Sequence, residues 1–319
     1  MRPRRTYSHD VIPLRAAVTV LALALALAGC GRGSSAENET TSEDGSVTLA
    51  APQWAVPALS KPGPEGAVIM AGSDWAVGDN RVSFLLIRDD GSVIRAPLAD
   101  VSYASDDDGP ARTAVARLVS IGVDEPADSD EVREIYVVEL DLPKAEKTWM
   151  VVEPRGVAFQ GFQILDVKAE PEAVAIGEEA PASDNPTLDD APAKRITTSR
   201  PPDVALLRHS VADSLAAGIP FVVTFATPAY CESRTCGPTV DVVEAVRKRF
   251  EGDGVRFIHV EIYEDNQPGQ GVNRWVTEWR LPTEPWVFVV DDKGIVRDRF
   301  EGAVSVGELD RSIRRNLLR

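Results

Sequence analysis

Phe221-Val222-Val223-Thr224-Phe225-Ala226-Thr227-Pro228-Ala229-Tyr230-Cys231-Glu232-Ser233-Arg234-Thr235-Cys236-Gly237-Pro238 is the stretch that decides how the second half of this chain is read. Phe221 to Phe225 form a continuous apolar run, the pattern of a strand buried on both faces. Pro238 then opens a segment with Val240, Val243, Val246 and Phe250 on one stripe. That predicts an amphipathic helix, stopped by Gly252 and Gly254. Between strand and helix stand two cysteines five positions apart. In a regular helix their Cα atoms would lie roughly 8–9 Å apart, whereas a disulfide needs about 4.4–6.8 Å. The pair can close only if residues 231–236 are not regular helix and the helix starts near Pro238.

Working outward, Val204 to Ala217 reads as a helix ended by Gly218-Ile219-Pro220, and Val255 to Ile262 as the next strand. Trp286 to Val290, the turn Asp291-Asp292-Lys293-Gly294 and Ile295 to Phe300 read as a hairpin, and Val306 to Leu318 as a closing helix. Residues 203–319 are therefore mixed α/β. Upstream, residues 67–168 change to short alternating runs separated by acidic, Gly- and Pro-containing turns. Arg81 to Arg88 leads through Asp89-Asp90-Gly91 into Ser92-Val93-Ile94, a hairpin with an Asp-Gly turn. Further strands are predicted at Val115–Val123, Ile135–Leu142, Thr148–Val152 and Phe159–Val167. That density of short strands predicts an all-β sandwich. Residues 169–202 are Pro-, Ala- and Asp-rich and read as a linker, with one short strand around Val174-Ala175-Ile176.

The chain holds three cysteines. Arg2, Arg4, Arg5 and Arg15 precede the uncharged run Ala16 to Ala28, which ends in Leu27-Ala28-Gly29-Cys30. A basic start, a short apolar run and a small-residue cleavage site make residues 1–29 a signal peptide. Leu-Ala-Gly-Cys makes Cys30 the lipidation site of a bacterial lipoprotein, anchored in the cell envelope by acyl chains. Residues 30–66 then form a disordered tether with a reach on the order of 30 Å. Lipidation leaves Cys231 and Cys236 as the thiols of the mature chain, and in an oxidising compartment that even pair reads as a disulfide bond. Removing residues 1–29 takes away four arginines and one aspartate, which moves the net charge from −16 to −19. So acidic a surface opposes nucleic acid and anionic headgroups. The expected localisation is the extracytoplasmic face of the cell membrane, held by the lipid anchor.

The order helix, strand, cysteines, helix, strand, hairpin, helix resembles the thioredoxin fold, in particular its extracytoplasmic TlpA/redoxin-like branch. Three matches carry the resemblance. Phe221 to Tyr230 looks like the strand that delivers the family's aromatic-Cys motif. Leu281-Pro282-Thr283-Glu284-Pro285-Trp286 looks like its cis-proline segment, and Val289 to Val296 like the hairpin that follows. The resemblance implies thiol–disulfide exchange through a redox-active centre of Cys231 and Cys236, with Tyr230, Glu284, Pro285 and Trp286 binding substrate and Pro285 as the cis residue. Partners would be extracytoplasmic proteins with thiols or disulfides. The sequence departs from the family in two places. The usual Cys-x-x-Cys is here Cys-x-x-x-x-Cys, and Thr224 stands where thioredoxins ordinarily carry a buried Asp that assists proton transfer. Glu284 and Glu232 are the candidate replacements for that base. Cys231 is the expected attacking sulfur, favoured by a helix N-terminus and Arg234 and opposed by Glu232; Cys236-Gly237-Pro238 leaves the reverse assignment open. Upstream, Gly78-Asp79-Asn80-Arg81, Asp90-Gly91-Ser92 and Trp149 resemble small immunoglobulin-like YtkA-type modules, which implies an immunoglobulin-like β-sandwich over residues 67–168.

Two other readings of the cysteines stay open: a structural disulfide in a non-catalytic scaffold lipoprotein, and a copper-delivery protein, since soft thiolates suit Cu(I). His209 and His259 are the histidines left for a copper site, and each reads more simply as a packed or surface residue. Trp275, Trp279 and Trp286 read as core aromatics before they read as a peptide groove. Asp106-Asp107-Asp108 lacks regular calcium-ligand spacing and reads as a solvated turn. No phosphate loop, catalytic triad or zinc spacing is present, so no cofactor or metal is expected.

Overall fold

The computed structural model describes residues 39–41, 47–49, 54–55, 66–105, 111–123, 132–231 and 235–318. The expected signal peptide at residues 1–29, Cys30, Asp106 to Asp108, Glu232 and Arg234 lie outside them. Among the described residues no helix is long and apolar enough to cross a membrane. Two short strands, β1 (Glu39–Thr41) and β2 (Val47–Leu49), pair antiparallel with each other.

Seven strands follow: β3 (Gly66–Met70), β4 (Gly78–Arg88), β5 (Leu98–Ala104), β6 (Arg112–Ser120), β7 (Glu134–Leu142), β8 (Lys147–Pro154) and β9 (Gly161–Asp166). They form one antiparallel sheet in the order β3-β4-β7-β6-β5-β8-β9. Alternate residues point inward, as a half-buried strand requires: Tyr136, Val138, Leu140 and Leu142 on β7 are buried while Glu139 and Asp141 are exposed. Phe84 stacks on Tyr136 at 5.4 Å between ring centres, and the Tyr136 hydroxyl donates to the Ala96 carbonyl at 2.9 Å.

The sequence predicted a sandwich, whose two sheets face each other; the structure instead has one continuous sheet rolled on itself. Its edges meet where Gln163 on β9 donates to the Val68 carbonyl on β3 at 2.9 Å. Gly161 permits the approach, since a Cβ there would sit 2.4 Å from a Val68 methyl. Ser92 to Ile94 does not form a full partner strand. It makes a single bridge at Ile87–Val93, and the long partner of β4 is β7.

The α/β half comprises α1 (Ala193–Ile196), α2 (Val211–Ala216), β10 (Phe221–Phe225), α3 (Cys236–Arg249), β11 (Arg256–Val260), α4 (Arg274–Glu278), β12 (Trp286–Val290), β13 (Val296–Glu301) and α5 (Val306–Asn316). Its sheet runs β11-β10-β12-β13, with β10 parallel to β11 and antiparallel to β12. Both faces are covered, which is why β10 and β12 read as unbroken apolar runs. Phe221, Val223 and Phe225 pack on one side with Trp279, Trp286 and Phe288. Val222 packs on the other with Val240, Val243, Val246 and Phe250 of the α3 segment and Leu309 and Ile313 of α5. Ser305 caps α5, its hydroxyl accepting from Glu308 N–H while the Glu308 carboxylate accepts from Ser305 N–H.

The helix predicted at Val204–Ala217 is broken in two. Asp203 caps a 3₁₀ turn at Val204–Leu207, and Ser210 caps a fresh start at Val211. The segment 169–202, read as a linker, packs into the α/β half: Ala173, Val174 and Ala180 enter the core, and Ser183, Asn185, Thr197 and Thr198 are buried. No strand forms at Val174 to Ile176, though Val174 N–H donates to the Trp279 carbonyl.

The two halves meet through buried charge. Arg81 on β4 donates to Glu308 at 2.7 Å and to the Ala303 carbonyl at 2.9 Å. Arg299 on β13 contacts Asp74 at 3.1 Å and also donates to the Asp74 carbonyl. Glu301 accepts from Asp74 N–H at 2.8 Å on one side and from the Thr283 hydroxyl at 2.7 Å on the other. Gly302 makes this fit possible: its φ is +72°, and a Cβ would lie 2.2 Å from the Ala71 carbonyl oxygen.

Candidate redox site

The chain leaves the buried end of β10 at Phe225, crosses residues 226–235, and enters α3 at Cys236. Because the helix begins at the second cysteine, Cys231 lies outside it. The two form a disulfide with Cα atoms 5.9 Å apart, inside the range the bond requires. The sulfurs differ in access: Cys236 is fully buried and Cys231 only partly. The backbone N–H of Cys236, at the first turn of a 14-residue helix, donates to Cys231 Sγ at 3.1 Å. An N–H and the positive end of a helix directed at a sulfur favour its thiolate form.

The Glu284–Pro285 peptide bond is cis, and a Glu284 carboxylate oxygen lies with both sulfurs in a cluster whose atoms are within 4.8 Å of one another. The cysteines and the segment before Pro285 thus converge, although Glu284 stands 53 positions from Cys231 and 48 from Cys236 in sequence. Thr224 is fully buried and its hydroxyl donates to the Trp286 carbonyl at 3.3 Å. A hydroxyl fixed in that bond is no proton acceptor for a thiol, and among the described residues Glu284 is the carboxylate that stands beside both sulfurs.

Tyr230 is 45% exposed beside Cys231. Trp286, expected among the substrate-binding residues, is fully buried: its indole N–H donates to Thr283, its ring stacks on Phe288, and Arg299 lies over it. It shapes the core rather than a binding surface. Trp279 is equally buried, against Phe225 and Phe288.

Both histidines stand apart from the sulfurs. His259 is buried, with Nε2 against the Ala226 carbonyl at 3.0 Å and Nδ1 against the Thr197 hydroxyl at 3.3 Å. Burial, then the charge of Arg256, pushes His209 below its ordinary value.

One functional feature had no sequence signal. The Thr198 hydroxyl donates to Glu261 at 2.7 Å and accepts from Ala229 N–H at 3.1 Å, tying the residues before Cys231 to the supposed linker. Buried threonines in a Pro- and Ala-rich segment carry no periodicity that could have marked them.

A parallel–antiparallel four-stranded sheet covered on both faces, a disulfide between its central strand and the next helix, and a cis-proline turn beside the sulfurs are the features that the resemblance to thioredoxins implied for the C-terminal half. No protein-family profile and no curated protein sequence matches the chain. Among solved structures it is similar to a thiol:disulfide interchange protein of the thioredoxin family from Chlorobium tepidum TLS. Identity is 18%, coverage is 45% of this chain and 98% of that one, and the TM-score is 0.31.

Proposed function

We propose that this protein exchanges disulfides with thiol-bearing protein substrates through Cys231 and Cys236. The observation that carries the reading is the asymmetry of the two sulfurs: the partly exposed one receives a helix N-terminal N–H, the other is fully buried, and a carboxylate lies close to both. In the reducing direction the Cys231 thiolate attacks a substrate disulfide, forming a mixed disulfide and releasing one substrate thiolate. Glu284 takes the Cys236 proton. The Cys236 thiolate then attacks Cys231 Sγ, closing the internal disulfide and releasing the second substrate thiolate, which takes up a proton. Two electrons pass from protein dithiol to substrate. The same steps in reverse oxidise a substrate dithiol, and the potential of the pair sets the direction.

Redox titration tests this. A potential near −270 to −120 mV fits exchange, and one well below about −300 mV fits a structural staple. Cys231→Ser abolishes exchange with a peptide disulfide, whereas Cys236→Ser accumulates a mixed disulfide visible by mass spectrometry. Glu284→Gln slows resolution of that intermediate by about 100-fold. A rate equal to wild type removes Glu284 from the mechanism.

The copper-delivery alternative finds less support. Among the described residues the donor cluster is two cysteines and a glutamate, a hard oxygen in place of a histidine. Anchorage through lipidated Cys30 at the outer face of the cell membrane completes the proposal. Cys30→Ser releases the protein from the membrane fraction if it holds.

A further inference from the structure

The chain is strongly acidic, and many of its arginines and lysines are paired with carboxylates. Three cations near the redox loop are not. Lys194 and Arg195 on α1 and Arg200 just beyond it are exposed, and among the described residues none forms an ion pair. Arg200 donates only to backbone carbonyls of Thr197 and Ser199. These side chains line one groove of about 430 Å³ with Thr198, Tyr230 and the 265–267 turn, where Asp265 is the single acid among the described residues. The groove is joined to the redox loop: Thr198 on its wall holds Ala229 N–H, and Tyr230 on its floor precedes Cys231.

Three unneutralised cations and a half-exposed aromatic at the doorstep of the accessible sulfur form a recognition surface for negative charge. Guanidinium and ammonium groups make their strongest hydrogen bonds to carboxylates, and an aromatic floor supplies rigid contact area at little entropic cost. The chain's net charge of −16 opposes such a partner in general, so a groove that gathers three cations fixes where and in what register an acidic segment settles. We infer that this groove binds an acidic segment flanking the substrate's reactive cysteine. The inference rests on the exchange reading and supplies its substrate class.

The test uses the chain from residue 31 onward and two peptides with the same intramolecular disulfide, one flanked by glutamates and one by lysines. At low salt kcat/KM favours the acidic peptide by about tenfold, and the ratio shrinks toward unity at 1 M salt, where screening reaches about 3 Å. The charge reversal K194E/R195E/R200E inverts the ratio. Partial misfolding cannot imitate this, because it lowers both rates together. Equal rates for the two peptides, or a preference that survives the reversal, overturns the inference. Hydroxyethyl disulfide, which carries no charge, reads the exchange chemistry separately, and failure to reduce it condemns the exchange reading instead. Fluorescence anisotropy of a labelled acidic peptide, its cysteines replaced by serine, then reads the groove without chemistry. Binding lost on charge reversal supports the groove, and no binding overturns it. Retention on phosphatidylglycerol vesicles without any peptide preference would overturn it in favour of a headgroup site.

Discussion

The junction between the halves and the groove beside the disulfide both carry arginines, and they treat them in opposite ways. At the junction, Arg81 and Arg299 are largely buried, and each meets a carboxylate and at least one carbonyl. In the groove, Lys194, Arg195 and Arg200 stand in solvent with no carboxylate partner among the described residues. The difference teaches how to sort charge in an acidic protein. Buried cations must be satisfied internally because desolvation is expensive. An exposed cation left unpaired among so many acids is held apart by the backbone, and it is available to something outside the chain.

Breaking the junction has the largest expected effect. Arg81→Ala strands Glu308, whose side chain is 11% exposed, and costs about 3–5 kcal/mol in urea denaturation. Replacing both partners, Arg81→Met with Glu308→Leu, recovers most of that loss, because an apolar pair leaves no bare charge. A double variant as unstable as the single one would show that the carbonyl contacts to Ala303 and Glu301 dominate.

A smaller effect sharpens the same contrast through pH. Burial pushes the Glu308 carboxyl up, but Arg81 and the Ser305 bonds outweigh burial and hold it below its ordinary value. A carboxyl depressed in the folded state stabilises the fold above its unfolded pKa of about 4.3, and that stability fades as pH falls through the folded value. Glu308→Gln therefore lowers stability at pH 7, and the gap to wild type narrows in acid. A gap constant from pH 7 to 3 would remove this carboxylate from the acid response.

The smallest expected effect belongs to the groove. Reversing all three of its cations shifts the unfolding free energy by no more than about 0.5 kcal/mol. A large loss would mean that these side chains hold the fold, and the comparison with the junction would collapse.

Much of the α/β half was legible because its strands are buried on both faces and so spell themselves out as apolar runs. Phe221 to Phe225 and Trp286 to Val290 appear in the structure with the bounds read from sequence. The cysteine spacing carried its own geometric constraint, and the break in helix before Cys236 satisfies it. Segment 169–202 was opaque for a different reason. Beside the scattered apolar Ala173, Val174, Ala180 and Ile196, its buried residues are serines, threonines and an asparagine held by hydrogen bonds, such as Asn185 to Val211 N–H and Thr198 to Glu261, and such bonds have no period. Strand β5 was missed because its inward residues are Ala99, Val101 and Tyr103, and the short Ala99 together with the outward Leu98 and Ala104 weakens the apolar alternation. The rolled sheet was read as two because alternation reports which side chains point inward and says nothing of whether neighbouring strands stay bonded around a bend. Trp286 was misassigned by its position in sequence next to Pro285, although its pleat faces the interior.

Glu301 stands at the end of β13 with one oxygen toward the rolled sheet and the other toward Thr283, the residue before Glu284. The two halves therefore do not behave as beads on a string. Cutting the chain near residue 170 would yield a fragment in which Glu301 and Glu308 have lost Asp74 N–H and Arg81 while keeping their charge. Thr283 would then be held by a carboxylate that has lost its other partner, so a trimmed expression fragment is the wrong object on which to judge what the longer chain can do.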